Sequence, residues 1–532
     1  MLIPRALSLC AVSLALSCLT IPAHAADWPQ WGGTDARNMV STETDLPDNF
    51  TRGERISGGG VNAEVAENLK WAVETGSATY GNPTISHGRV FIGTDDFLLD
   101  DDDRVRRTRG GMVQCLDEQT GECLWRLIVP KRKRMPPNIH YGFQHLGVLS
   151  SVALDGDQAY VVTSAAEVVC LDVQGLSDGN DGSFQDEAAY IAGEGEPAIE
   201  LTDKDADILW RFDLMDELGV FIHDAASCSP LVYGDCVYLS TSNGVDRPHA
   251  KVLAPEAPAF IALDKHTGRL AGRERDGLSS RLYHCQWTSP SLGIVRGKPL
   301  LFLGGGDGVC YAFEPLKKIS EEVATLNKVW SYDCIPPEYK WRDGRLIPYY
   351  EGDKRKGYST NENDGKYVGP SQIISTPAFY EDKVYVAIGQ DPAHGRGRGI
   401  LHCIDATKTG DITETGRVWA YDDIERTMAT AAVSDGLVYI PDLAGRFHCL
   451  DANTGECYWV YTLNSETWGG PLIADGKLYI GNKRMFFIMA TGREARLLSE
   501  VRLGNPIYST PVAANGTVYI ASQHHLWAVA KK

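Results

Sequence analysis

The sequence predicts an all-β protein, an eight-bladed β-propeller of four-stranded antiparallel sheets, and three observations carry that expectation. One short apolar run recurs as Leu-Val-Tyr439-Ile, Lys-Leu-Tyr479-Ile and Thr-Val-Tyr519-Ile, 40 residues apart, with earlier copies at Tyr385, Phe302, Tyr238, Tyr160 and Phe91. A second strand ending recurs behind it as Cys-Leu-Asp117, Cys-Leu-Asp172, Ala-Leu-Asp264, Cys-Ile-Asp405 and Cys-Leu-Asp451. A Trp then marks the outer strand at Trp71, Trp125, Trp210, Trp330, Trp419 and Trp459, with Gly272 in its place in the third copy and no counterpart in the seventh. Short β-branched and aromatic runs bounded by Gly, Asn and Asp are hairpin-connected strands. Four of them per period of roughly 40 residues is the pattern of propeller blades.

Taken in order, the chain opens with Arg5, an apolar run from Ala6 to Leu16, and Ala23-His24-Ala25. This is the form of a secretory leader, so residues 1–25 read as a signal peptide cleaved after Ala25 and the protein as exported, periplasmic or secreted. A lipoprotein leader with Cys18 as acceptor is disfavoured, because Leu16 stands one place from where such leaders carry it. No later run is long enough for a membrane-spanning helix. Residues 26–68, Gly- and Asp-rich with Trp28-Pro-Gln-Trp31, read as an extended lead-in pinned to the propeller surface by its Trp rings. Leu69 to Glu74 is an outer strand with nothing before it to pair with, whereas the last copy, Asn505 to Ala530, holds only three strands. The strand around Trp71 is therefore expected to complete the last blade, which removes two sheet edges and fixes the count at eight. The propeller then occupies residues 69–532.

The barest copy is Met428 to Leu463, with strands over Ala429–Val433, Leu437–Pro441, Arg446–Asp451 and Glu456–Tyr461. Its Asn453-Thr454-Gly455 corner suits a tight turn. The first five copies carry insertions at Asp95–Gly110, Pro130–His145, Gly175–Asp207, Thr241–Ala259 and Pro336–Pro370, so one sector of the disc is decorated and the other plain. Insertions between strands emerge on the flat faces, where propellers build binding surfaces.

A formal charge of −19 argues against nucleic acid or anionic lipid as the main partner. Of thirteen cysteines, Cys10 and Cys18 lie in the leader and eleven remain. Cys115, Cys170, Cys403 and Cys449 all fill the slot before Leu/Ile-Asp, which suits a small buried apolar residue better than a disulfide framework. Cys115 with Cys123, and Cys449 with Cys457, flank the same Thr-Gly corner, leaving a cross-strand bond open at both. The Asp100–Asp103 run reads as a solvated loop rather than a calcium site, since it lacks the spaced acidic pattern of a dedicated loop. The basic run Lys131–Arg134 reads as a patch contacting the acidic insertions.

Polar residues at the start of first strands lie near the axis. His223, Asp224, His284 and Gln286 are of this kind, and Asp307, Gln390, Asp391 and His394 follow second strands. Together with Trp468 and Tyr508 they are the candidates for an axial funnel that binds a ligand. Their plainer reading is solvation of a water-filled channel. No nucleophile–base pair, phosphate-cradling loop or metal-ligand motif stands out, and no metal site is expected.

The Leu-Asp-Ala-Asn-Thr-Gly-Glu-Cys-Tyr-Trp459 core and the Val-Tyr-Ile strand resemble the pyrroloquinoline-quinone-type propeller repeat over Leu69 to Val529. One branch of that family, the quinoprotein alcohol dehydrogenases, holds the quinone and calcium in an axial funnel. Another is the propeller subunit of the outer-membrane β-barrel assembly machinery, which binds partners and catalyses nothing. The chain departs from the dehydrogenases in having no two adjacent cysteines, and from the assembly subunit in its length and insertions. Trp28-Pro-Gln-Trp31, Ser-Asn-Gly-Val-Asp246 and Gly-Gln-Asp-Pro-Ala-His394-Gly mark an exported bacterial branch of its own. The resemblance implies the fold and leaves activity open; complete repeat marks without a complete catalytic set lead to the expectation of a monomeric binding or scaffolding module that takes a protein or small molecule on its inserted face. Its alternative is a quinone- or metal-dependent oxidoreductase with pyrroloquinoline quinone and calcium.

Overall fold

Eight four-stranded antiparallel sheets stand in a ring, and together they form an eight-bladed propeller. The computed structural model describes residues 26–56, 60–137, 139, 141–249, 251–342, 344–346, 371–389 and 397–532. The leader, most of the fifth insertion, and Gln390, Asp391 and His394 lie outside the described residues. Blade 6 consists of Ala432–Ser434, Leu437–Pro441, Arg446–Asp451 and Cys457–Thr462. Blade 8 joins Val512–Ala514, Thr517–Ala521 and His525–Val529 to Leu69–Glu74, with Ala72 opposite Trp527, which is the closure expected from the unpaired strand at Trp71. Blades 3 and 4 each gain a short parallel fifth strand, Ala324–Thr325 and Gly410–Asp411.

Neighbouring blades are locked by the outer-strand Trp. The indole N–H of Trp71 donates to the Glu118 carbonyl at 3.0 Å, Trp125 to Val173 at 3.0 Å, Trp210 to Lys265 at 2.9 Å and Trp330 to Ala406 at 3.3 Å. Trp419 reaches Ala452 and Trp459 reaches Gly492, each at 3.0 Å. Each acceptor belongs to the next blade, so a buried ring supplies both apolar area and a satisfied donor. Trp71, Trp210 and Trp419 lie on the neighbour's Thr-Gly corner, at Gly121, Gly268 and Gly455. At Gly455, where φ is +74°, an added Cβ would sit 2.7 Å from the Trp419 ring, so both conformation and contact demand glycine. Where the Trp is absent, other residues fill the gap. Gly272 faces Leu316 from the following blade's insertion. At blade 7, Phe50 of the lead-in packs edge-on to Phe486, and Tyr479 donates to the Pro47 carbonyl at 2.8 Å.

The lead-in goes deeper than a surface strap. Residues 28–41 run around the axis and bond to the innermost strands of seven blades in turn, and at blade 3 Arg37 reaches the Pro230 carbonyl just ahead of that strand. Trp28 exchanges two 2.9 Å bonds with Ile85, and Pro29 accepts from Leu154 at 2.8 Å. The Asp35 and Ala36 carbonyls accept from Leu292 and Phe379 at 2.7 and 2.9 Å. The Asn38 side chain exchanges two 2.8 Å bonds with Val433, Met39 accepts from Ile473 at 2.8 Å, and Ser41 donates to Ala513 at 3.1 Å. At the centre, fully buried Arg37 donates to the carbonyls of Trp31, Pro230 (2.7 Å) and Pro290 (3.1 Å). Burial pulls its guanidinium down to about 10, while Asp35 works in the opposite direction. Inner-strand edges that would otherwise be left with open donors and acceptors are thus capped by one segment.

The register explains the cysteines. A bulge after Cys115 puts Trp125 opposite it and moves Cys123 opposite Leu116; the same bulge puts Trp459 opposite Cys449 and Cys457 opposite Leu450. Neither pair is bonded, and Cys115 and Cys449 are core residues. The basic run meets an acidic group of the third insertion, as Lys133 pairs with Glu196 at 3.1 Å, while Arg132 pairs at 2.6 Å with Asp213 at the end of the outer strand of blade 2. Asp102 is held by Arg104 at 2.8 Å, and Arg104 in turn by Asp205 at 2.6 Å.

Candidate functional site

Beside residues 28–41, which form a plug on the axis, the blades present a girdle of mostly small polar residues just before each first strand. Backbone N–H groups donate to the next blade's side chain: Asn82 to Ser151 (3.0 Å), Ser151 to Ser229 (3.0 Å), and Ser229 to Ser289 (2.9 Å). Thr376 donates to Thr430 (3.2 Å), Gly470 to Thr510 (2.9 Å), and Thr510 to the Asn82 side chain (2.8 Å). These groups surround a cavity of about 270 Å³ on the axis, with Trp31 of the lead-in among its lining residues. Aromatic rings gather on one side, where Tyr80 stacks on Tyr508 at 5.2 Å and on Trp468 at 6.1 Å. Trp287 faces the same space. The lining contains hydroxyls, an amide, apolar groups and aromatic rings, and among the described residues no charged side chain. Lys483 stands by the rings of Trp468 and Tyr508, at 5.5 and 6.0 Å, and pairs with Glu466 at 2.6 Å.

Beside the cavity, three loops bring imidazoles together. His223 lies on the loop into blade 3, His249 on the loop between its second and third strands, and His284 on the loop into blade 4. Their candidate ligand atoms all lie within 4.8 Å of one another. The His223 and His284 side chains are 0% and 1% exposed, and Asp224 between them is 17% exposed. Asp224 oxygens stand 3.7 Å from the Nε2 of His223 and 3.8 Å from that of His284. The His284 ring meets Trp287 edge-on at 4.8 Å, which links the cluster to the cavity wall. Gly244 is required here: a Cβ would come within 2.5 Å of the His223 Cβ.

The axial candidates therefore separate. His223, Asp224 and His284 share one cluster. Gln286 clamps a loop, donating to the Gly304 carbonyl and accepting from the Gly306 N–H, both at 2.8 Å. Asp307 accepts from the Tyr311 hydroxyl and, at 3.2 Å, from Arg281, and its burial raises its carboxyl. Gln390, Asp391 and His394 fall outside the described residues. Trp468 and Tyr508 line the cavity. His249 and Tyr80 were not singled out from sequence. The Ser-Pro230, Ser-Pro290, Thr-Pro377 and Thr-Pro511 pairs were the signal that could have exposed the girdle, because most girdle residues, though not Ser151 or Thr430, stand just ahead of a proline.

A second cavity, of about 830 Å³, lies among the first three insertions, with Arg104, Arg106, Arg107, Lys131, Arg132 and Lys133 facing Glu196 and Glu200 in its lining. Of these, Arg104, Arg132 and Lys133 already carry acidic partners.

A family described as outer membrane protein assembly factor BamB matches residues 109–332 and 397–495. No curated protein matches this sequence. Among solved structures, BamB from Moraxella catarrhalis is 12% identical with a TM-score of 0.49, covering 87% of this chain and 97% of its own. The quinohemoprotein alcohol dehydrogenase from Comamonas testosteroni is 11% identical with a TM-score of 0.47, covering 95% and 81%. A europium-containing methanol dehydrogenase is 13% identical with a TM-score of 0.44, covering 93% and 89%.

Proposed function

The chain belongs to the BamB family, and on that premise we propose that it is an exported binding and scaffolding propeller whose axial cavity receives an uncharged ring-shaped group from its ligand or partner. The observation that supports this most directly is the cavity lining, with five aromatic rings, a girdle of hydroxyls and, among the described residues, no charge. Aromatic faces and hydroxyls suit a neutral sugar ring or a planar side chain. The insertions beside it give such a partner further surface. Residues 1–25 act as the export leader in this reading, and N-terminal sequencing of the mature protein should begin at Ala26.

The quinone of the dehydrogenase branch fits this cavity poorly. It carries three carboxylates, and its calcium needs oxygen-rich acidic ligands. Among the described residues the lining offers neither a cation for the former nor a carboxylate for the latter. No chemistry is therefore derived through that group. Incubation of purified protein with pyrroloquinoline quinone and calcium, followed by gel filtration and dye-linked alcohol oxidation, is expected to give neither stoichiometric retention nor turnover. Retention with turnover would replace the binding reading with an oxidoreductase. Neutral oligosaccharides and aromatic dipeptides, titrated against tryptophan fluorescence, test the positive side. Saturable quenching lost in Tyr508→Ala is the expected result.

A further inference from the structure

We propose that His223, His249 and His284, with Asp224 at their edge, form a binding site for a divalent transition-metal ion, zinc being the best match. The three residues come from three separate loops, yet their ring centroids lie only 4.5, 4.4 and 4.7 Å apart. A four-coordinate zinc site places its nitrogens about 2.0–2.1 Å from the ion, and tetrahedral geometry then separates neighbouring donors by about 3.3 Å. Nε2 of His249 and Nε2 of His284 stand 3.0 Å apart, close to that spacing and with both nitrogens facing each other. Nδ1 of His223 stands 2.7 Å from the Val245 carbonyl, which can only accept. The proton is therefore assigned to Nδ1, and Nε2 is left as a lone-pair donor facing Asp224. Such a backbone-anchored imidazole is the usual outer support of a metal-ligating histidine.

The backbone gives a second, independent indication. Asp224, Ser242 and His249 all adopt left-handed conformations, with φ of +61°, +55° and +56°. None is glycine, and such conformations persist where the surroundings impose them. Here they belong to the loops that carry the cluster. The Cys285 thiol donates to the Ser242 carbonyl at 3.1 Å, which ties the His284 loop to the strained turn. Three neutral imidazoles and one carboxylate form a borderline donor set suited to zinc rather than to calcium or magnesium. Asp224 is then a fourth ligand or the hydrogen-bond partner of a metal-bound water. The site is independent of what the axial cavity holds, although Trp287 lies against both.

The experiment uses the full mature chain without a histidine tag. After dialysis against zinc, elemental analysis is expected to give one ion per chain, and cobalt(II) in its place should produce the visible bands of a nitrogen-rich four- or five-coordinate site. His249→Ala, the least buried of the three, should weaken binding by roughly 100-fold or more while the metal-free circular dichroism stays unchanged. Wild-type melting temperature should rise with added zinc and level off at one equivalent. Zinc uptake well below one ion per chain, or equal uptake by a folded His249→Ala, overturns the proposal. Should that variant fail to fold, a wild-type melting temperature indifferent to zinc overturns it alone.

Discussion

The two ends of the axial cavity are built in opposite ways. The floor is a single segment, residues 28–41, that meets the inner strands of seven blades mainly through backbone bonds and centres on Arg37, which reaches blade 3 at the Pro230 carbonyl. The rim is assembled from loops of different blades, with strained turns, stacked rings and the three-histidine cluster. Removing one rim residue leaves the other loops in place, whereas the floor is a continuous thread that fails as a unit. Stability should therefore depend on the floor and ligand chemistry on the rim.

The strongest way to break that contrast is Arg37→Ala. It leaves three carbonyls in the core without donors, and chemical denaturation should show a loss of roughly 3 kcal/mol or more. A variant of near wild-type stability would mean that the floor is merely lodged in the ring. Acid gives the next largest effect. His402 is buried on the third strand of blade 5, stands 2.9 Å from the Cys334 carbonyl, and accepts from Tyr332 at 3.2 Å. Burial depresses it from 6.5 to about 4. Between those values the unfolded chain takes up a proton that the folded chain refuses, so stability falls as pH drops from about 6.5 to 4. The loss should approach roughly 3 kcal/mol, and His402→Gln should flatten the curve in that window. Arg37, in contrast, stays charged throughout this range.

Smaller effects separate girdle from rim. Ser229→Ala strands the Ser151 N–H and should cost about 1–2 kcal/mol, read from the shift in denaturation midpoint. His249→Ala, measured without metal, should change stability by less than about 1 kcal/mol, because the residue is partly exposed at the rim. A larger metal-free loss there would make the cluster a structural element instead of a ligand site.

The blades were legible because their signals repeat. Tyr439, Tyr479 and Tyr519 occupy one register, and each copy of Leu/Ile-Asp leads into the same corner, so errors in one copy are corrected by another. The closure by Leu69–Glu74 followed from counting strands. The plug did not show itself, because it makes about one contact per blade and uses main-chain groups that leave no pattern in the residues. His249 escaped for a related reason. It sits in an insertion with no counterpart in other blades, far along the chain from both His223 and His284, and only the topology unites them. His223, Asp224 and His284 were found because each lies ahead of a first strand, where the repeat itself points inward. The same rule also selected Gln286, whose amide serves the loop beside it.

The plug has a consequence in time. Its partners are spread along the whole chain; Asn38 and Val433, for example, are 395 residues apart. The complete seat for residues 28–41 does not exist until the last blade has formed, and contacts of such separation form slowly. A segment that precedes every blade in the chain is thus the one that settles last. In pulsed hydrogen exchange, amide protection at Trp28 and Ser41, whose N–H groups donate to Ile85 and Ile473, should trail that of the blades.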